Sequence, residues 1–431
     1  MTVKVVDRTK SSFRIKDNNE PEWLYNLRND AWCNFNKPPM PEIAKHLWKY
    51  SNPTNFMLVN QDEHLRLGKR YPQIAQPEEF DPEKGVDAYW GNSSDLKVKI
   101  QTTEDFKDSG VVFQELHLAS KNHEELVKRY LGKLVTFELG KFEALNMAMW
   151  DIGAFLYIPD NTVIKNPIYL HRHPTGINTV TRLLVIMGKN AEATIVDDYR
   201  CGRNKGISLV NSAVEIFADD ASRVRYINLQ RLATDYHSFI TQRTHLARDA
   251  ESYTLFASVG SGVSKINAGT ILDGRGAHSN MYGVAFGDNR QQFDHHTVHH
   301  HKSSDSYSNI DLKTVMKDKS SSAYTGLIKI EKEAPNCEAY QENRNLLLNK
   351  KARVETIPEL EILTDQVRCS HGATVGPLDE ETVFYLTSRG ISRAEAIKSI
   401  VAGFVEPTLA KMPKSVGESV RKIVLEKLEE R

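Results

Sequence analysis

The chain contains no run of about eighteen apolar residues, the length a membrane-spanning helix needs. Its opening residues, MTVKVVDRTKSSFRIK, lack the apolar stretch of a secretory signal, so the cytosol is the expected compartment. Cysteine is scarce: Cys33, Cys201, Cys337 and Cys369 are the four in 431 residues, and no two form a CxxC pair. That excludes a disulfide scaffold, and it excludes the four-thiolate set that would hold an iron–sulfur cluster permanently within one chain. Net charge is also missing, with 56 Lys and Arg against 56 Asp and Glu. A global attraction to nucleic acid or to an anionic membrane is therefore not expected. Turnover signatures are wanting: there is no GxSxG, no HExxH and no GxGxxG in a strand–helix–strand setting. GSGVSK at 260–265 lacks the order of a phosphate loop and the helix that should follow it. The chain does not read as an enzyme.

What is present is the composition of a soluble globular protein, 40% hydrophobic and 26% charged, long enough for one large core with attachments or for two to three domains. The first 150 residues read as helical and loop-rich. EPEWLYNLRNDAWCNF begins with Pro21 and places Trp23, Leu24, Leu27, Ala31 and Phe35 on one helical face. Residues 51–110 show no clear period. Helical patterns return from Asn122 to about Leu131 and in GKFEALNMAMWD, with Phe142, Leu145, Met149 and Trp150 at helical spacing.

From 151 to 376 the chain is a series of short strand-like segments such as TRLLVIMG, EATIVDDY, SRVRYINLQ and ESYTLFASVG. A small turn element precedes many of them. Taking alanine as the register mark gives Ala191, Ala221, Ala250 and Ala277, spaced 30, 29 and 27 residues, with weaker marks at Ser303, Ser320, Ala334 and Ala352. A repeat near 30 residues with small residues at the corners predicts the stacked coils of a β-solenoid, in which the stack supplies the core that no single coil can bury. A β-sandwich is the weaker alternative.

Residues 377–431 are helical again. DEETVFYLTSRG ends at Gly390, a natural left-handed cap. Ser392 and Glu395 form a capping box ahead of Ile397, Ile400, Val401 and Phe404 on one face, and Pro407 should kink or end that helix. Ser415 and Glu418 predict a second capping box before Val416, Val420, Ile423, Val424 and Leu428. These helices either dock another protein or cap the open end of the solenoid.

Two clusters carry candidate chemistry. FDHHTVHHHK holds five histidines; on a strand His295, His299 and His301 share one face, and His296 and His300 the other. Three imidazoles on one face suit zinc or iron, but a polar ladder on a solvated face is the stronger reading, because a metal triad usually gathers ligands from several elements. DQVRCSHGATVG, residues 365–376, places Cys369 and His371 on one face of a strand with Ser370 opposite. Gly372 removes a side chain beside the imidazole, and Gly376 is expected to permit a turn. A thiolate beside an imidazole suits a soft transition metal or a sulfur carrier, whereas neighbours two apart on a strand diverge too far for a Cys–His nucleophile. A half-buried cysteine and a hydrogen-bonded histidine with no chemistry remain the alternative.

EPEWLYNLRNDAWCNFNKPPMP, FEALNMAMWDIGAFLYIP, ENRNLLLNKKARVETIPELEI and RCSHGATVGPLDEETVFYLTSRGIS resemble, in order, the SufB/SufD family of iron–sulfur cluster assembly, over roughly residues 18–50 and 135–410. The resemblance is to the SufD branch: the SufB branch has a cluster-building cysteine where this chain has Asn343, and an acidic residue where it has Gly372. It implies a right-handed parallel β-helix between N-terminal and C-terminal helical domains. It implies His371 and Cys369 as ligands to a transient iron–sulfur cluster shared at a subunit interface. The partners it implies are a SufB-like subunit, or a second copy of this chain in a self-paired scaffold, and a SufC-like ABC ATPase docked through the C-terminal helices, with Phe384, Ile397, Ile400, Val401 and Phe404 as the contact set. ATP hydrolysis would then come from the partner. Whether a flavin binds is left open by the resemblance.

Overall fold

The computed structural model describes residues 20–42, 46–58, 85–92, 98–174, 177–202 and 206–429. Among them, strands form two sheets, one of ten and one of nine. Successive strands alternate between the sheets: Asn178–Met187 lies in the second, Glu192–Cys201 in the first, Ser208–Ala218 back in the second. Each then pairs in parallel with the strand one coil further on. This is the expected parallel β-solenoid, of about eight turns. A parallel pair cannot be joined by a tight hairpin, and here the strand of the opposite sheet makes the crossover. Because one face of each sheet looks into the lumen and helices cover much of the other, several strands are buried on both faces; all ten residues of Asn178–Met187 are buried.

The corners explain the repeat. Asn190, Ala221, Asp249, Gly276, Asp305 and Asn336 have positive φ just ahead of the first-sheet strands, and each is followed by a small buried residue: Ala191, Ser222, Ala250, Ala277, Ser306 and Cys337. Glu192 pairs with Arg223, Arg223 with Glu251, Glu251 with His278, His278 with Tyr307 and Tyr307 with Glu338, a step of 27 to 31 residues. The alanine mark is therefore one residue off at Ala221, which holds the left-handed position (φ 55°) while Ser222 takes the corner. The weaker marks mix corners. Ser306, not Ser303, is the first-sheet corner, while Ser320 and Ala352 precede second-sheet strands Ser321–Ile330 and Arg353–Ile362. Ala334 is buried in the turn before Asn336.

Helices Glu22–Asn36 and Lys141–Met149 pack on the outer face of the second sheet. Trp48, Phe56 and Phe142 cluster there with Phe239 of the strand Tyr236–Leu246, the Trp48 and Phe239 rings stacked at 6.0 Å. A buried ion pair ties the layers: Arg182 donates to Glu215 (2.7 Å), to Asn146 Oδ1 (3.0 Å) and to the carbonyl of Val135 (2.8 Å). The Glu215 carboxylate accepts the backbone N–H groups of Gly132, Leu134 and Val135. With all these partners satisfied, the desolvation of two charges is offset by hydrogen bonds. The helix expected near 122–131 is two short ones, Leu116–Asn122 and Glu124–Tyr130, broken at His123. The first 150 residues also contribute the strands Ala88–Asn92, Val98–Thr102 and Val112–Glu115. Part of the unplaced 51–110 segment lies outside the described residues.

At the C-terminal end, helices Arg393–Leu409 and Lys414–Glu429 fold back along the outer face of the first sheet rather than over the solenoid's end, and Glu380–Thr387 packs against Arg393–Leu409. Val401, Val405, Leu409, Val420 and Val424 pack against Ile227, Leu229, Leu255 and Val284. The Ser392–Glu395 capping box is formed, and the helix it starts ends two residues past Pro407. The second box is not formed: the last helix begins at Lys414, so Ser415 lies inside its first turn, and the N–H groups of Val416 and Gly417 go to the Pro413 carbonyl.

Candidate functional site

The strand Cys337–Leu347 has Cys337, Ala339, Gln341, Asn343 and Asn345 buried inside the solenoid. Its neighbour Val367–Pro377 continues the register, with Cys369 beside Ala339, His371 beside Gln341, Ala373 beside Asn343 and Val375 beside Asn345. Cys369 and His371 thus share a face, as the two-residue period requires, and it is the face that points into the lumen in every preceding coil. Val367–Pro377 ends its sheet, and Arg353–Ile362 ends the other. No further coil among the described residues covers them, so the position that is lumenal elsewhere is exposed at His371. Ile362, Leu363 and Val375 are exposed at the same end. Sequence reasoning missed these three, because only the ending of the stack uncovers them.

Cys369 is half-buried. Burial raises its thiol pKa, with a smaller push from Cys337 nearby and a lowering by the Ala339 backbone, so it rests as a thiol and a metal would have to displace the proton. Gly372 and Gly376 both have open space where a Cβ would stand, and neither has positive φ. Gly376 therefore makes no turn; the strand runs through it to Pro377. At Gly372 the open space leaves the flank of the imidazole clear. Asn343 is a lumen filler: its Nδ2 donates to the Leu312 carbonyl and its Oδ1 accepts from Asn345.

The histidine run lies elsewhere and on the other sheet. His295, His299 and His301 do share a face of Gln292–His301, but that face is the lumen, not solvent. His299 and His301 are fully buried, and His295 lines a cavity of about 10 Å³, room for roughly one water molecule. Serines engage all three: Ser258 with His295 (3.1 Å), Ser279 with His299 (3.0 Å), and Ser306 and Ser308 with the two ring nitrogens of His301 (2.7 and 2.8 Å). Burial lowers their pKa values to about 4, about 3 and about 4, so all three are neutral at pH 7. Strung along one strand, they do not converge, and among the described residues no three His, Cys, Asp or Glu gather to hold a metal ion. The solvated-face reading of this run is therefore corrected: the polar ladder is internal. On the opposite face His296 pairs with Asp294 (2.7 Å) and His300 with Glu331 (2.7 Å).

The residues named for partner docking separate. Phe384 is 70% exposed, next to Tyr385, on whose ring the Arg389 guanidinium sits at 3.5 Å. Val401 is fully buried in the chain's own core, while Ile397, Ile400 and Phe404 are half-buried around it. The helix Arg393–Leu409 turns its apolar stripe toward the first sheet, so Val401 is not surface available to a partner.

The last coil of the solenoid leaves the cysteine–histidine pair on its terminal strand. The chain belongs to the SufBD family of the SUF system for iron–sulfur cluster assembly. It matches the SufBD core domain over residues 171–404 and the SufBD N-terminal region over residues 10–170. It is similar to the iron-sulfur cluster assembly SufBD family protein of Staphylococcus saprophyticus, 28% identical over 417 residues, covering 94% of this chain and 89% of the relative. It is also similar to the protein of that description in Staphylococcus haemolyticus, 27% identical over 418 residues with the same coverage. In Staphylococcus aureus strain USA300 the figure is 28% over 418 residues, again covering 94% and 89%.

Proposed function

We propose that this chain is a SufD-like, non-catalytic subunit of an assembly complex, whose open end meets the matching end of a SufB-like subunit. His371, with Cys369 beside it, holds iron of a cluster being built at that junction. The observation that carries this reading is the exposure of His371 on a terminal strand whose lumenal face is uncovered. Imidazole is a weaker donor to iron than thiolate, which suits a cluster that is cargo and must be handed on. Asn343 and Gly372 supply no further donor, so the remaining ligands come from the other chain. The exposed Phe384 and Tyr385 offer the anchor for a SufC-like ATPase, whose nucleotide cycle supplies the motion. A second copy of this chain would present the same edge, and light scattering of the isolated chain and of its mixture with a SufB-like subunit separates the two pairings.

The test is cluster formation in the reconstituted complex. His371→Ala should lower the yield about 10-fold or more, with the unfolding temperature of the subunit unchanged because the side chain is exposed. An unchanged yield overturns the ligand role.

A further inference from the structure

We propose that Gln341 is a positioning residue for His371: its side-chain carbonyl accepts the N–H of one imidazole nitrogen and thereby fixes which nitrogen is offered to iron. This rests on the reading of His371 as a ligand.

Gln341 stands beside His371 in the register of two neighbouring parallel strands, on the same lumenal face. Such strands lie about 4.8 Å apart, so the two side chains start within reach of each other. Gln341 is 3% exposed, and its amide nitrogen donates to the Gly326 carbonyl at 3.3 Å. Because that partner is an acceptor, the amide must turn its nitrogen there, which directs the carbonyl oxygen away. That oxygen, Oε1, is buried without a hydrogen-bond partner. A buried amide oxygen left unpaired is uncommon and calls for a partner. Gly326 and Tyr324 border the same slot. A Cβ on Gly326 would strike both the Gln341 amide nitrogen and the Tyr324 hydroxyl, so the glycine keeps the slot in which this amide lies. The Tyr324 hydroxyl is itself engaged with Thr297 at 2.8 Å. On the other side, the His371 imidazole makes no hydrogen bond among the described residues. The orphan acceptor and the uncommitted N–H stand one strand apart and are not bonded in this structure; a turn of the exposed His371 ring would join them. Metal-bound histidines commonly donate their second N–H to a carbonyl or carboxylate, which locks the tautomer and the ring orientation.

The experiment uses the full chain, free of iron, labelled with 15N-histidine, with His371 assigned by its loss in His371→Ala. Ring 15N shifts above pH 7.5 report the tautomer. In the native chain one tautomer of His371 should predominate by about 10-fold or more. Gln341→Leu should return the ring to the mixture of a free imidazole. Gln341→Met, of similar length, repeats the test without a cavity, and Gln341→Glu, which restores an acceptor oxygen, should keep the native tautomer. In the reconstituted complex, Gln341→Met should lower iron retention by about 10-fold. Identical His371 shifts in native and Gln341→Met chains would overturn the proposal whatever the cluster yield of His371→Ala. If instead the tautomer depends on Gln341 while His371→Ala builds clusters normally, the contact stands and the ligand reading fails.

Discussion

His299 and His301 hang inside the solenoid as neutral imidazoles, and that has a direct consequence in acid. Their folded pKa values, about 3 and about 4, lie below the ordinary 6.5 because burial disfavours the charged ring. Between those values and pH 6.5 the unfolded chain binds protons that the folded chain refuses. The stability they allow is complete above pH 6.5 and is lost as pH falls toward 4, by about 2 kcal/mol per imidazole at pH 5. Urea midpoints at pH 7 and pH 5 check this: the gap should narrow in His299→Gln, and an equal gap in variant and native chains would contradict it. The two-residue period in the sequence was enough to put His295, His299 and His301 on one face. It could not say which face, because in a solenoid both sides of a strand can be buried, and the outer side here is covered by residues far away in the chain. The same limit hid the Arg182–Glu215 pair, which has no local signal at all: its partners come from Val135 and Asn146 on one side and two strands on the other.

The C-terminal helices were legible as helices and illegible in what they cover. Gly390 with φ 86° and the Ser392–Glu395 box mark the boundaries through backbone chemistry alone. The apolar stripe after them identifies a buried face without naming its cover, and that cover is this chain's own first sheet. The named contact set should therefore split in experiment. Val401→Ala should destabilise the fold by about 2 kcal/mol, two buried methyl groups and the space they leave. Phe384→Ala should leave stability within about 0.5 kcal/mol and weaken binding of a SufC-like ATPase about 10-fold or more. Calorimetry for the first and titration of the partner for the second check this; a stability loss at Phe384, or unchanged affinity, would remove that helix as the docking element. The strand repeat was the easiest feature to read, since each corner needs a residue tolerant of positive φ followed by a small one that fits inside. Its register slipped at Ala221 because alanine filled the first of those places instead of the second.

The two ends of the molecule are built differently. At one, Val98–Thr102 and Val112–Glu115 lie antiparallel on the last parallel strands and break the stacking pattern. At the other, Arg353–Ile362 and Val367–Pro377 stop the two sheets with parallel strands of ten and eleven residues, no such terminator among the described residues, and apolar side chains in the open. Long unprotected strand edges invite pairing with another chain. The Cys369–His371 pair sits on that edge, where its spacing was readable from the sequence but its exposure was not, since exposure follows from where the stack ends. The central claim, that the imidazole at this edge binds iron supplied with ligands by another chain, is tested most directly by pulsed electron paramagnetic resonance. This chain alone is labelled with 15N-histidine, assembled with unlabelled partners, and its cluster reduced to a paramagnetic state. The account predicts a 15N hyperfine coupling of the size of a directly bound imidazole, absent in His371→Ala; no such coupling, or one that survives in His371→Ala, would contradict it.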